Sequence, residues 1–268
     1  MQKTWFITGA ACGLGAQIAK SVIRSGDRVV AAGRKREAVI ERLGPDSDQL
    51  LSVELDVTFG GQARAAVQAA LSRFGTIDVL VNNARYGYLG FFEENTTRDT
   101  QAQLATNLLG VFNVTCAVLP IMRSVRKGRI FNIASLGGIL ASGLAPLYCA
   151  MKLALEGFSE CLSREVTPFG LFVTIVDPGP FGTDFLRCDA LGEKCIGDGD
   201  EHRSGQRPGD SAKLAEAIVR LATEVDPPVH FIAGSMGVNA TDAKLTGMRA
   251  ELDRWRHLSV STDGSYAT

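Results

Sequence analysis

The sequence predicts a doubly wound α/β fold built on one seven-stranded, mostly parallel sheet with helices on both faces, and three observations predict it. Short apolar runs alternate with longer amphipathic stretches from the first residues to about position 232, the pattern of repeated strand–helix units. Most of the apolar runs lack regular polar alternation, as strands covered on both faces do. A glycine-dense segment, Thr8-Gly9-Ala10-Ala11-Cys12-Gly13-Leu14-Gly15, separates the first apolar run from the first amphipathic one.

The strand candidates are Thr4–Thr8, Arg28–Ala32, Leu50–Leu55, Val79–Val81, Arg129–Ala134, Leu171–Val176 and Val229–Ile232. Between them, 14–25, 61–74, 97–125, 148–168 and 209–225 carry apolar residues at spacings of three and four, which predicts helices. The stretch 107–122 is apolar around much of its circumference, so it lies under another element or meets another subunit. No linker composition interrupts the chain, and residues 1–258 are expected to form a single domain. Within it, 185–207 is rich in glycine and charge and is expected to be a long loop that acts as a lid. Residues 259–268 are expected to be a flexible tail.

Composition narrows the functions. Hydrophobic residues make up 46% and charged residues 21%, ordinary for a globular chain and unlike a disordered one. The net charge is −1 with scattered cations, so no electrostatic footprint for nucleic acid or an anionic membrane is present. Six cysteines without a C-x-x-C pair, and three histidines, give no metal-ligand spacing; no metal is expected, and the thiols are read as reduced. Met1 runs almost directly into a strand-like segment without a charged and then apolar leader, so a signal peptide is not expected and the cytosol is the expected compartment. Ile130–Met151 is uncharged and long enough to span a bilayer, but Gly137, Gly138, Gly143 and Pro146 would break a helix there; a strand, a loop and a helix start are expected instead.

A glycine loop between a strand and a helix N-terminus brings bare backbone N–H groups and the positive end of the helix dipole to a diphosphate. The alternative is a tight turn that merely needs positive φ. In dinucleotide-binding units a carboxylate about 20 residues further on, at the end of the second strand, holds the ribose hydroxyls. Here that place reads Ala32-Gly33-Arg34-Lys35-Arg36. Three cations without the carboxylate suit a 2′-phosphate, with Arg34 best placed for it, which favours NADP(H) over NAD(H). A solvated basic helix start is the alternative, and Glu37 in a shifted register would restore ribose binding.

Tyr148 and Lys152 lie one helical turn apart on one face. An ammonium beside a phenol favours the phenolate and prepares it to give or take a proton. The pair gains meaning from Ser135 at the end of a strand, because parallel sheets place ligands at the carboxyl ends of their strands.

With these motifs in order, the sequence resembles the short-chain dehydrogenases/reductases over nearly its whole length. Thr8–Gly15 matches the TGxxxGxG loop, Asp56-Val57 the adenine contact after the third strand, and Asn82-Asn83-Ala84 the NNAG stretch. Ser135, Tyr148 and Lys152 match the Ser and YxxxK motifs, and Asp177-Pro178-Gly179 through Thr183 the PG-x-x-x-T turn at the nicotinamide. The resemblance implies that Tyr148 is the general acid in reduction and the base in oxidation, that Ser135 hydrogen-bonds the substrate oxygen, and that Lys152 holds the nicotinamide ribose and tunes Tyr148. It implies that Asn107 holds a water in the proton relay, the alternative being an ordinary polar residue bonding across the helix. Gly9, Ala11, Cys12, Gly13, Leu14, Gly15, Arg34, Asp56, Val57, Asn83, Ala84, Lys152, Pro178, Gly179, Phe181 and Thr183 are the expected cofactor contacts.

Arg85 departs from the pattern by replacing the last glycine of NNAG. A side chain pointing to solvent is expected first, with the active-site mouth or the cofactor as alternatives. Met151 and Cys149 are read as packing. The Asp177–Phe185 run is similar to a subgroup related to 17β-hydroxysteroid dehydrogenases, and Tyr86, Tyr88, Gly137, Gly138, Ile139, Leu140, Phe181, Phe185 and Leu186 would line an apolar pocket for a ring or alkyl ketone. Ketone reduction is expected because NADP pools usually favour it, with NAD-dependent alcohol oxidation and a non-catalytic dinucleotide-sensing or scaffold role as alternatives. The family often pairs two long helices, here about 97–125 and 148–168, so a homodimer or homotetramer is expected.

Overall fold

The computed structural model describes residues 2–87, 90–141, 143, 145–179 and 209–264. The expected lid at 185–207 and the predicted contacts Tyr88, Phe181, Thr183, Phe185 and Leu186 lie outside the described residues.

Seven strands, β1 (Thr4–Thr8), β2 (Arg28–Gly33), β3 (Leu50–Glu54), β4 (Val79–Asn82), β5 (Gly128–Ile133), β6 (Leu171–Pro178) and β7 (His230–Ala233), form one sheet in the order β3-β2-β1-β4-β5-β6-β7. Every pairing is parallel, so the sheet is more uniform than the mostly parallel one expected. The order reverses between β1 and β4, and at such a switch point the loops leaving two strands part and open a crevice.

Alternate side chains of the strands feed two apolar layers. Trp5, Ile7, Val29, Ala31, Val79, Val81 and Phe131 pack against helices α1 (Gly13–Arg24) and α8 (Ser211–Leu221). Phe6, Val30, Leu80, Ile130 and Val173 pack on the other face against α3 (Gly60–Phe74), α5 (Gly110–Val125) and α7 (Pro146–Val166). Burial on both faces explains why the strands read as unbroken apolar runs.

The predicted 97–125 helix is continuous in direction but not in winding. It comprises α4 (Thr97–Leu104), opened by a Thr96–Asp99 capping box, a π-helical turn (Ala105–Leu109) and α5. Among the described residues it is the one helical stretch long and apolar enough to cross a membrane, yet Val114, Val118 and Met122 are fully buried against α3 and the sheet. Phe112 also stacks at a tilt on Phe158 of α7, with ring centroids 4.5 Å apart.

Among the described residues, two helices longer than a single turn were not predicted. The short, polar α2 (Arg36–Leu43) buries only Val39. The last helix, α9 (Ser235–Val260), has 26 residues and runs into the segment expected to be a tail from 259 onward; residues 265–268 lie outside the described residues. The uncharged Ile130–Met151 stretch forms most of β5, the short turn α6 (Leu136–Ile139) and the start of α7.

Candidate active site

The loop after β1 is shaped for a backbone-lined cradle. Gly9 takes φ +65°, and a Cβ on Gly15 would stand 2.4 Å from the Gly9 carbonyl oxygen and 2.5 Å from Asn83 Nδ2, so neither position accepts a side chain. Asn83 donates to the carbonyls of Thr8 (2.9 Å) and Gly9 (3.1 Å), while the Thr8 hydroxyl accepts from the N–H groups of Asn83 (2.9 Å) and Ala84 (3.0 Å). These bonds lock the loop to the end of β4. Cys12 caps α1 with extended backbone and makes no side-chain capping bond to the helix, and the first turn holds no acidic residue. The positive end of α1 is thus left to an external anion.

A cleft of about 620 Å³ opens from this loop across the switch point. Of the predicted cofactor contacts, Gly9, Ala11, Cys12, Arg34, Asp56, Val57 and Ala84 line it; Gly13, Leu14 and Gly15 open α1, and Asn83 braces the loop from behind. Gly33, Lys35, Thr58, Arg85, Tyr86 and Thr106 complete much of the wall, so Tyr86, expected in the substrate pocket, borders this cleft. Asp56 accepts from the Thr58 N–H (2.9 Å) and hydroxyl (2.7 Å), which fixes the turn under the predicted adenine position. Arg36 is committed to Asp46 (2.6 Å) and the Ser52 carbonyl (2.9 Å), whereas Arg34 and Lys35 border the cleft. Glu37 stands exposed in the first turn of α2. The cradle that a Cβ would fill and the uncapped helix start fit a dinucleotide.

At the carboxyl end of β5, Ser135 caps α6 by accepting from the Gly137 N–H (3.2 Å), and its hydroxyl is hydrogen-bonded to Tyr148. Pro146 starts α7 two residues before Tyr148, and the buried stripe Lys152, Leu155, Glu156, Ser159, Leu162, Ser163 and Val166 turns this helix face onto the sheet. Lys152, 2% exposed, donates to the Ile133 carbonyl at 2.8 Å, and its Nζ lies 5.7 Å from the centre of the Tyr148 ring. Gly137 lies beside that ring, and the Cys149 thiol makes a long contact of 3.9 Å to the Leu140 carbonyl. Ser135, Tyr148, Lys152 and Gly137 therefore converge. Pro178 ends β6, and Gly179 donates to the Ala233 carbonyl (3.3 Å).

Asn107 does not join that group through its amide. It is buried in the π-helical turn, donates to the Tyr86 carbonyl (2.7 Å) and accepts from the Tyr86 N–H (2.8 Å). Both bonds tie the helix to the loop after β4.

The electrostatics differ from the sequence expectation in two respects. Burial raises the Tyr148 pKa, and the groups that pull it back are the Ser135 hydrogen bond and Arg85, not Lys152. Burial foremost, with Arg85 adding to it, brings Lys152 down to about 7. Arg85 is partly buried on the cleft wall and acts on both groups, so its side chain serves the site rather than solvent.

Three residues that spacing did not single out as a group also meet here. Glu156 and Asp177 are buried against each other, with His230 Nδ1 3.3 Å from Glu156 and His230 Nε2 3.4 Å from Glu160. Burial first, and then the Asp177 charge, push Glu156 up to about 9, while Asp177 is also raised by burial. The two carboxyl groups thus retain a proton near neutral pH, and Asp177 faces the Ser135 N–H. In sequence, Glu156 is marked by following Lys152 by one turn on the buried face and Asp177 by opening the Pro178-Gly179 turn, but nothing joins the two to His230. A second buried chain joins Asn82, Thr115, Asn132 and Ser159 at 2.7–3.0 Å and ties β4 and β5 to α5 and α7.

Comparison with known proteins agrees with this geometry. The short chain dehydrogenase family model matches residues 3–191. The oxidoreductase BOA17 of Botryotinia fuckeliana is 33% identical over 98% of this chain and 100% of its own. The 3-ketodihydrosphingosine reductase of Bacteroides thetaiotaomicron is 34% identical over 86% and 87%. Among solved structures, a short-chain dehydrogenase from Streptomyces avermitilis is 35% identical with a TM-score of 0.88, covering 98% of this chain and 100% of that one. A 3-ketoacyl-(acyl-carrier-protein) reductase from Brucella melitensis complexed with NADH is 25% identical with a TM-score of 0.77 over 86% and 96%. ElxO with NADP bound is 26% identical with a TM-score of 0.75 over 87% and 96%. Matched from β1 through its site residues, and over nearly its full length by one relative and one structure, this chain belongs to the short-chain dehydrogenase/reductase family and is an oxidoreductase of that family, served by a nicotinamide dinucleotide and acting on a small molecule.

Proposed function

We propose that this protein is an NADP(H)-dependent ketoreductase that reduces a ketone on an apolar ring or alkyl substrate to a secondary alcohol. The observation that carries the reading is the convergence of Ser135, Tyr148 and Lys152 beside the cleft that Arg85 links to them. The bound dinucleotide supplies the hydride. Tyr148 gives its proton to the substrate oxygen as that oxygen gains charge, and Ser135 donates a hydrogen bond to the same oxygen. Lys152, anchored by its bond to the Ile133 carbonyl with its Nζ 5.7 Å from the centre of the Tyr148 ring, would hold the nicotinamide ribose with its remaining N–H. Pro178 and Gly179, and beyond the described residues Phe181 and Thr183, would seat the nicotinamide carboxamide.

NADP(H) is favoured by Arg34 and Lys35 on the cleft wall, with no carboxylate at the end of β2. NAD-dependent alcohol oxidation is the second reading, supported by the NADH complex of the Brucella relative. Reduction of an apolar ketone draws support from the name of the Bacteroides relative and from the similarity of the 177–185 run to 17β-hydroxysteroid dehydrogenases. A cytosolic setting is supported by Cys116, Cys149 and Cys161, which form no disulfide among the described residues. Assembly through the 97–125 and 148–168 helices into a homodimer or homotetramer is supported by the exposed Leu109 and Leu153.

A panel of ketones and alcohols, followed by the absorbance of NADPH and NADH, tests the reading. Turnover with NADPH and apolar ketones is expected, and Tyr148→Phe should lower kcat about 10²–10⁴-fold while dinucleotide affinity holds. Tighter binding of NADH than NADPH overturns the cofactor assignment. Unchanged turnover in Tyr148→Phe overturns the mechanism.

A further inference from the structure

Among the described residues, helix α9 leaves the body of the protein without a partner beyond its base. Its base is anchored where Gly237 is buried against the side chains of Leu136 and Ile232, but from Asp242 to Val260 every residue is exposed. A bare helix of this kind is stable only if an apolar stripe on it is covered. Such a stripe exists. Val238, Leu245 and Leu252 recur every seven residues, interleaved with Thr241, Met248 and Trp255, and the five large apolar members are 49–58% exposed. This is the a/d seam of a two-stranded coil, about 26 Å long at roughly 1.5 Å per residue.

We propose that α9 is an assembly element that pairs antiparallel, across a two-fold axis, with α9 of a second copy of this chain. The seam is self-complementary in that orientation. Val238 faces Trp255 of the second copy, Thr241 faces Leu252, and Leu245 faces Met248, so each layer matches a larger with a smaller or similar side chain. The residues flanking the seam then meet with opposite charge: Asp242 with Arg249, and Lys244 with Glu251, each twice by symmetry. A parallel pairing sets Lys244 against Arg249 and Trp255 against Trp255, which disfavours it. Arg249 also bonds Asp253 on its own helix at 3.2 Å, which orients it along the flank. The pairing brings the tip of each helix to the base of the other, beside α6 and the active-site end of the sheet. It adds an interface separate from the 97–125 and 148–168 helices and does not depend on the reaction or cofactor.

Sedimentation equilibrium of the full chain tests this, with circular dichroism confirming that each variant is folded. Lys244→Glu and Glu251→Lys each place like charges together and should weaken the association at least about tenfold; the double variant should restore the wild-type mass. Leu245→Glu with Leu252→Glu should lower the assembled mass to that of the unit lacking the α9 contact. Single charge variants that keep the wild-type mass, or a double variant no better than either single, overturn the antiparallel pairing. A monomeric wild-type protein at tens of micromolar overturns it too and assigns the seam's cover to residues of the same chain.

Discussion

The proton affinity of Tyr148 is set by opposing neighbours: burial raises it, and the Ser135 hydrogen bond and the Arg85 charge lower it. Removing Arg85 should therefore raise it further. Arg85→Leu is expected to move the alkaline limb of the kcat profile for reduction to higher pH while Lys152 regains part of its basicity, and an unmoved profile would disconnect Arg85 from the site. The Glu156–Asp177 pair predicts a stability effect of definite sign. A carboxyl raised from 4.5 to about 9 binds more protons folded than unfolded in that interval. Its contribution is therefore fully present below about pH 4.5 and is lost as pH rises towards 9. Lys152, depressed from 10.5 to about 7, works oppositely between pH 7 and 10.5. Glu156→Gln removes the Glu156 contribution, so its Tm relative to wild type should rise between pH 5 and 9. Tyr148, Lys152 and Ser135 were legible because one turn of helix and one strand end hold them close in sequence. Glu156, Asp177 and His230 come from α7, β6 and β7, and only the sheet order β5-β6-β7 brings them together. Arg85 was assigned to solvent because a surface is the ordinary place for an arginine; nothing local in the sequence shows that the chain turns it along the cleft.

At the scale of elements, the turn between β1 and α1 is the most tightly determined. Gly15→Ala inserts a methyl against the Gly9 carbonyl and the Asn83 amide, both already engaged. A loss of about 1–3 kcal/mol in urea unfolding is expected, together with weakened dinucleotide binding seen by fluorescence titration. All seven strands were legible to within two residues at each end, because burial on both faces makes each a compact apolar run. Helices with a broad apolar face were legible for the same reason. Those without one were not: α2 buries a single side chain, and α9 carries only a narrow seam interrupted by Thr241, begins at Gly234 without a capping side chain, and packs little of its length on the described residues. The π-helical turn was invisible because one widened turn leaves composition and average spacing unchanged, yet it is what places Asn107 against the Tyr86 backbone.

For the whole molecule, the sheet order carries a cost in time. The central strand β1 is flanked by β2, which follows closely, and by β4, whose pairing joins Trp5 to Val79 and Ile7 to Val81. Closing that pairing requires an intervening loop of about seventy residues, and such non-local parallel contacts make folding slow. On a ribosome adding about 5–20 residues per second, the apolar edge of Trp5, Phe6 and Ile7 waits several seconds for its neighbour. The strand that carries the dinucleotide loop is thus the one most in need of a chaperone during synthesis. A chain truncated before Val79 should remain bound to a holdase in translation extracts, and one extended past Asn132 should show the first protease-resistant core.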